Sequence, residues 1–231
     1  MEIVFLNTFD GRIRQPLSQF LTDRAPKTDV FCFQESSQNP GGMQELAVAL
    51  LPGFKSASAY KKISPEDDFS QTTYLSPDVR LLDQEVLSPM DQNVGLGLVT
   101  TVQKDDRQLT VCNFHGRSRP GDKLDTPERI DQSQQILDFF RAWAIPLIVG
   151  GDFNADIETE CIRMFASAGY KNLIREYQIY TTRNPLAWKK HPLTPQLHSD
   201  YVFVSPDVPV SGFTVPRNEI SDHLPLILET K

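Results

Sequence analysis

Six short apolar runs in this sequence begin or end on a side chain able to bind a cation or move a proton. Asn7 closes Ile3–Leu6, Glu35 follows Val30–Phe33 in Phe33-Gln34-Glu35, and His115 ends Asn113-Phe114-His115. Asp152 and Asn154 leave the run Leu147–Val149 through Gly150-Gly151-Asp152-Phe153-Asn154. Asp200 opens Asp200-Tyr201-Val202-Phe203-Val204, and Ser221-Asp222-His223 stands before the last apolar run. Taken singly, each has a plain explanation. Gly-Gly-Asp-x-Asn is also a tight turn, with Gly for φ > 0 and Asp or Asn accepting backbone bonds. Ser-Asp-His is also a cap. Glu35 alone is a solvated carboxylate, His115 a surface histidine, Asn7 an amide ending a strand, and Asp200 a turn acceptor. Together they make a different case, because strand ends on one sheet edge converge and build a pocket from distant residues.

The chemistry of such a pocket follows from its atoms. The carboxylate and amide oxygens of Asn7, Glu35 and Asp222 suit a hard divalent cation such as Mg²⁺. No Cys/His ligand cluster is present to favour zinc. Attack of water on a phosphate diester requires screening of the phosphoryl oxygens, a group to activate water and an acid for the leaving oxygen. Asp152 is the expected water-activating base, oriented by Asn154. His223 with Asp200 makes a carboxylate–histidine pair, which sets the tautomer and favours the imidazolium. His115 is a second proton donor or a phosphate contact. Arg117, Arg119 and Lys123, in the segment after His115, are candidate phosphate-binding cations, with a solvated loop as the plainer reading. Arg183 and Trp188 read either as base or sugar contacts or, preferentially, as packing residues.

The elements that must position these groups are legible as short β-rich runs: Ile3–Leu6, Val30–Phe33, Thr72–Leu75, Gly95–Val102, Leu109–Phe114, Leu147–Val149, Tyr201–Val204 and Leu224–Leu228. Helical spacing covers Pro16–Arg24, Met43–Leu51, a segment from Thr126 with Pro127 at its first position, and Glu158–Ala168. Residues 60–70 and 172–199 read as long loops. The order βαβα, strands, βαβα, strands argues against a purely parallel sheet. It suits mixed sheets packed face to face with helices outside.

Length allows one large domain, and a single domain over residues 1–231 is the expectation. With 30 acidic against 23 basic side chains, the formal charge is −7, so no broad cationic face is available for nucleic acid, although phosphate can be held locally. Cys32, Cys112 and Cys161 are far apart, with no Cys-x-x-Cys pair. That usage suits a reducing compartment. No leader-like segment and no run approaching the ~20 residues of a bilayer span is visible, so a cytoplasmic protein is expected.

These motifs, in this order, resemble the endonuclease/exonuclease/phosphatase superfamily over nearly the whole chain, from Leu6-Asn7 to Ser221-Asp222-His223-Leu224-Pro225. The resemblance implies a four-layered α/β sandwich with two mixed β-sheets inside. It implies Mg²⁺ or Mn²⁺ at Glu35 with Asn7 and Asp222 nearby, and a nucleophilic water on Asp152 and Asn154. It implies His223, paired with Asp200, acting on the phosphoryl group. His115 matches the histidine of deoxyribonuclease-like and phosphatase-like members, where abasic-site enzymes carry tyrosine. Two departures, Leu6-Asn7-Thr8 in place of the usual Trp-Asn and His198-Ser199 before Asp200, leave substrate class open. Three functions follow as expectations. The first is a phosphodiesterase or nuclease on DNA, RNA or a nucleotide-like ester. The second is a phosphomonoesterase on a small metabolite, sugar or lipid headgroup. The third is a non-catalytic binding protein.

Overall fold

The computed structural model describes residues 1–64, 67–87, 96–189 and 193–231, without the side chains of 61–64, 67–69 and 96. Two six-stranded mixed sheets face one another. The first is built from β1 (Glu2–Asn7), β2 (Val30–Gln34), β3 (Lys55–Ser64), β4 (Asp67–Leu75), β11 (Val210–Thr214) and β12 (Leu226–Thr230), in the order β11-β12-β1-β2-β4-β3. The second contains β5 (Arg80–Leu87), β6 (Leu96–Lys104), β7 (Arg107–His115), β8 (Leu147–Asp152), β9 (Lys171–Asn172) and β10 (Asp200–Val204), in the order β5-β6-β7-β8-β10-β9. Each sheet has one parallel pair at its centre, β1–β2 and β7–β8, flanked by antiparallel strands. This is the expected sandwich.

Helices α1 (Arg14–Arg24) and α2 (Met43–Leu50) cover the first sheet, burying Leu17, Leu21, Met43 and Leu46 against Val4, Leu6, Phe31 and Phe33. Helices α3 (Pro127–Phe140) and α4 (Glu160–Ser167) cover the second, and a one-turn α5 (Leu173–Glu176) follows β9. The start of α3 is as the sequence implied: the Thr126 side chain accepts from Arg129 N, and Pro127 occupies a position whose N–H has no partner anyway. α4 begins because the Asp125 carboxylate accepts from Glu160 N (2.7 Å) and Cys161 N (3.0 Å). Among the described residues, no helix is long and apolar enough to cross a membrane.

The inner faces of the sheets and the α3–α4 layer share one core, with Phe5, Cys32, Val99, Cys112, Phe114, Val149 and Phe203 all buried. Gly150 faces Phe5 so closely that a Cβ there would lie 2.7 Å from the ring. Gly151 has φ +130° and would place a Cβ 2.1 Å from Phe114 O. Both glycines are therefore required where the chain turns into Asp152. Within this apolar layer lies a cluster of amides with no exposure. Gln34 Nε2 donates to Asn113 Oδ1 (2.6 Å), Asn113 Nδ2 to Phe33 O (3.2 Å) and Thr72 O (3.3 Å), and Gln71 Nε2 to Asn113 O (2.8 Å). These bonds tie the two sheets together directly beneath the strand ends.

Several expectations need correction. The loop expected at 60–70 falls within the β3–β4 hairpin, whose inward face is carried by the small Ala57 and Ala59 and so lacks an apolar signal. The segment 172–199 contains α5, capped by Asn172, and a 3₁₀ turn at Pro185–Trp188. Strand β6 runs to Lys104, and the expected first residue, Gly95, lies outside the described residues.

Candidate active site

Strand register does most of the assembly. In the parallel pair β7–β8, His115 is opposite Asp152, and in the antiparallel pair β8–β10, Asp152 is opposite Asp200. Three of the expected residues thus stand side by side at one edge of the second sheet. In the first sheet, β1 and β2 end together, with Asn7 opposite Gln34 and Glu35 next along the chain. The sheets meet where Asn7 Nδ2 donates to Glu35 Oε1 and to Asp152 Oδ2, both at 3.1 Å. Ser221 Oγ donates to Asn7 O (2.7 Å) and accepts from His223 N (3.2 Å), holding Ser221-Asp222-His223 on the end of β1.

At the centre is Asp152. Its Oδ2 lies 3.7 Å from Nε2 of both His115 and His223. Its Oδ1 accepts from Asn154 N (2.8 Å) and from the Ser199 hydroxyl. Asp200 holds His223 Nδ1 at 2.9 Å and accepts from Thr182 Oγ1 at 3.1 Å. Asp222 Oδ2 lies 4.0 Å from His223 Nε2 and 3.8 Å from Arg183 Nη2. Glu35, Lys123 and Asn154 have left-handed backbone, with φ of 50°, 62° and 54°. Such geometry costs about 1–3 kcal/mol per residue and clusters where structure serves function.

The electrostatics separate the two imidazoles. Burial disfavours the His223 charge, yet Asp200, Asp152 and Asp222 outweigh it and push its pKa up to about 9. His115 is pulled down to about 4, chiefly by burial, with Asp152 opposing and the His223 charge adding. For Asp152, burial opposes ionisation, but His223, Lys123, His115 and the Ser199 hydroxyl hold it well below the usual carboxylate range. Glu35 is raised, first by burial and further by Asp222 and Asp152, with Asn7 and His223 opposing. A carboxylate destabilised by burial and by other carboxylates fits a place for a divalent cation, and hard oxygens fit Mg²⁺ or Mn²⁺. Ligand atoms of Asp152, Asp200 and His223 also lie within 4.8 Å of one another. Asp200, however, is engaged by His223 and Thr182, so Glu35 and Asp222 offer the freer oxygens. Asn7 Oδ1 accepts from Phe9 N, and its amide nitrogen faces the carboxylates.

Eight expected residues therefore come together: Asn7, Glu35, His115, Asp152, Asn154, Asp200, Asp222 and His223. The three candidate phosphate-binding cations do not behave alike. Lys123 is buried and donates through Nζ to Asn154 Oδ1, while Asn154 Nδ2 donates to Gly116 O (3.0 Å). The Arg117 guanidinium donates to Arg119 O (2.9 Å) on the exposed side of the loop, and Arg119 is exposed. Ser199 and Thr182 escaped sequence reasoning because a hydroxyl in a loop carries no periodic signal. Arg183, read by preference as packing, lies against Asp222.

Known structures share this architecture. An endonuclease/exonuclease/phosphatase family protein from Bacteroides thetaiotaomicron superposes with TM-score 0.78 at 17% identity, covering 100% of this chain and 97% of its own. The human Nocturnin catalytic domain with bound sulfate anion gives 0.69 at 21% identity, covering 100% and 93%. The mannosyl-6-phosphatase of Bacteroides thetaiotaomicron gives 0.73 at 16% identity, covering 100% and 99%. No curated protein sequence matches. The profile described as Endonuclease/Exonuclease/phosphatase family matches residues 11–223, from just after Asn7 through His223, and the chain belongs to that family.

Proposed function

We propose that this protein is a divalent-metal-dependent phosphoesterase that hydrolyses a phosphodiester by attack of an activated water, with Mg²⁺ or Mn²⁺ held by Glu35 and Asp222 beside Asn7. The observation that carries this reading is one buried carboxylate, Asp152, 3.7 Å from two imidazoles whose surroundings push their pKa values in opposite directions, His223 up and His115 down. Titratable neighbours whose environments drive their pKa values apart divide acid from base work.

In this reading His223, charged and fixed by Asp200, donates to a phosphoryl oxygen. Asp152 accepts from the attacking water and orients it. A carboxylate held so far below its ordinary range is a poor proton store, so the neutral His115, 3.7 Å from the same oxygen, is placed to pass the water's proton on to the departing ester oxygen as its bond to phosphorus breaks. Asn154 and Lys123 brace this arrangement, since the Asn154 amide is engaged at both ends. A bound divalent cation would screen the phosphoryl oxygens and polarise the phosphorus centre.

A diester carries one negative charge where a monoester carries nearly two. Arg119 is exposed and the half-buried Arg117 donates to Arg119 O, which supports the diester. The second reading, a phosphomonoesterase acting on a small phosphorylated metabolite, sugar or lipid headgroup, draws support from the likeness to the mannosyl-6-phosphatase. The test is a panel of bis-(p-nitrophenyl) phosphate, p-nitrophenyl phosphate, dinucleotides, plasmid DNA, RNA and sugar phosphates, each with Mg²⁺, Mn²⁺ and EDTA. Metal-dependent diester cleavage that stops with EDTA is expected. Activity that survives chelation would remove the metal from the mechanism, and faster turnover of monoesters would replace the diester reading.

A further inference from the structure

Arg183 borders both the site and a neighbouring cavity. It pairs with His223 in an isolated antiparallel bridge, and residues directly opposite in such a pair project to the same face. Its guanidinium is therefore on the imidazole side, with Nη2 3.8 Å from Asp222 Oδ2 and Nη1 donating to Gln196 Oε1 (3.2 Å). The residue is 7% exposed, and its buried Nε donates to nothing among the described residues. A buried donor left over on a charged group is costly unless a ligand takes it up.

Behind Arg183 lies a cavity of about 420 Å³, lined among others by Tyr180, Trp188, Leu197, Arg217 and Leu224. Leu224, the residue after His223 in the chain, is part of that lining. Arg217 stands over the Tyr180 ring, 5.8 Å from its centroid. The Tyr180 and Trp188 rings, the Arg217 guanidinium and the apolar Leu197 and Leu224 offer faces for stacking.

We propose that Arg183 grips the non-bridging oxygens of the substrate phosphate and that this cavity receives a flat aromatic group esterified to that phosphate, a nucleobase-bearing or aryl alcohol. The proposal rests on the phosphoester reading of the site. It is tested by binding, separately from turnover. The chain has two tryptophans, and Trp143 packs on Phe139 and Phe140 at the end of α3. In a Trp143→Phe background, Trp188 is the sole indole reporter. Its fluorescence is titrated in EDTA with thymidine 5′-monophosphate, phenyl phosphate, glucose 6-phosphate and inorganic phosphate.

A saturable change is expected with one or both aromatic esters, which identifies the source of the ring, and none with the other two ligands. Arg183→Met should weaken that binding roughly tenfold or more, with partial rescue by Arg183→Lys. Tyr180→Ala, at an exposed position that does not threaten the fold, should weaken it several-fold. No saturable change with either aromatic ester, in protein that hydrolyses bis-(p-nitrophenyl) phosphate, would overturn the cavity assignment and leave the phosphoesterase reading intact. Equal binding of glucose 6-phosphate, or an unchanged affinity in folded Arg183→Met, would overturn it as well. Saturable aromatic binding in protein that cleaves no ester would refute the activity and leave the cavity standing.

Discussion

At the scale of single residues, Asp152 shows how burial is turned to use. A lone buried carboxylate would protonate; here the His223 charge above all, with Lys123 and the Ser199 hydroxyl, keeps it charged. Asp152→Asn and His223→Ala should each lower turnover by about 10²–10⁴-fold with unchanged circular dichroism. Near-normal rates in both would refute their roles. Glu35→Ala should instead raise the metal concentration needed for half-maximal rate. His223 also predicts a pH dependence of stability in metal-free protein. Its folded pKa of about 9 is above the ordinary 6.5, so its contribution is complete below pH 6.5 and is lost as pH rises through 9. The difference in unfolding free energy between wild type and His223→Gln should be on the order of 3 kcal/mol at pH 6 and shrink by pH 10. A difference that stays constant over that range would sink the assignment of charge to this imidazole. His115 works in the opposite sense: its folded value of about 4 makes its contribution present above pH 6.5 and lost as pH falls toward 4.

At the scale of elements, α3 acts on the site through Arg129, whose guanidinium is buried under the segment 116–124. Its Nε donates to Arg117 O (3.2 Å), and its terminal nitrogens donate to Pro120 O and Leu124 O. Those carbonyls shape the loop that carries Lys123 to Asn154. Arg129→Met should therefore cost about 2–4 kcal/mol by leaving carbonyls unpaired, and should lower activity beyond what the lost stability explains. Urea unfolding and turnover of the folded fraction separate the two effects; full activity in that fraction would remove Arg129 from the site's support. The strands that sequence reasoning missed have a common cause. β5 buries little beyond Leu87, and β9 and β11 are edge strands, so none shows an apolar run. By contrast β2, β8 and β10, buried on both faces, were plain in the sequence.

At the scale of the whole molecule, the two sheets repeat one plan, a central parallel pair with antiparallel flanks, and the site lies where the ends of both central pairs meet. Their alignment depends on the buried amides Gln34, Gln71 and Asn113 as well as on apolar packing. Asn113→Ala should cost about 2–3 kcal/mol, since it removes the acceptor for one Gln34 amide hydrogen, which keeps only Cys32 O, and the donor to Phe33 O and Thr72 O. It should also lower turnover, because Asn7 reaches Asp152 only if the sheets keep their register. A loss of stability with undiminished turnover would show that the amides only hold the sheets together.

The sequence by itself determined the family, the layer architecture and the eight polar residues that meet at the strand ends, because each is attached to a strong local signal: an apolar run, a glycine turn or a fixed motif order. Only the tertiary structure decided which of the cations after His115 turns inward, that Ser199 and Thr182 brace the two aspartates, and that Arg183 lies against Asp222. Those facts depend on which loop crosses which strand end, and a chain's local pattern does not encode contacts between segments dozens of residues apart.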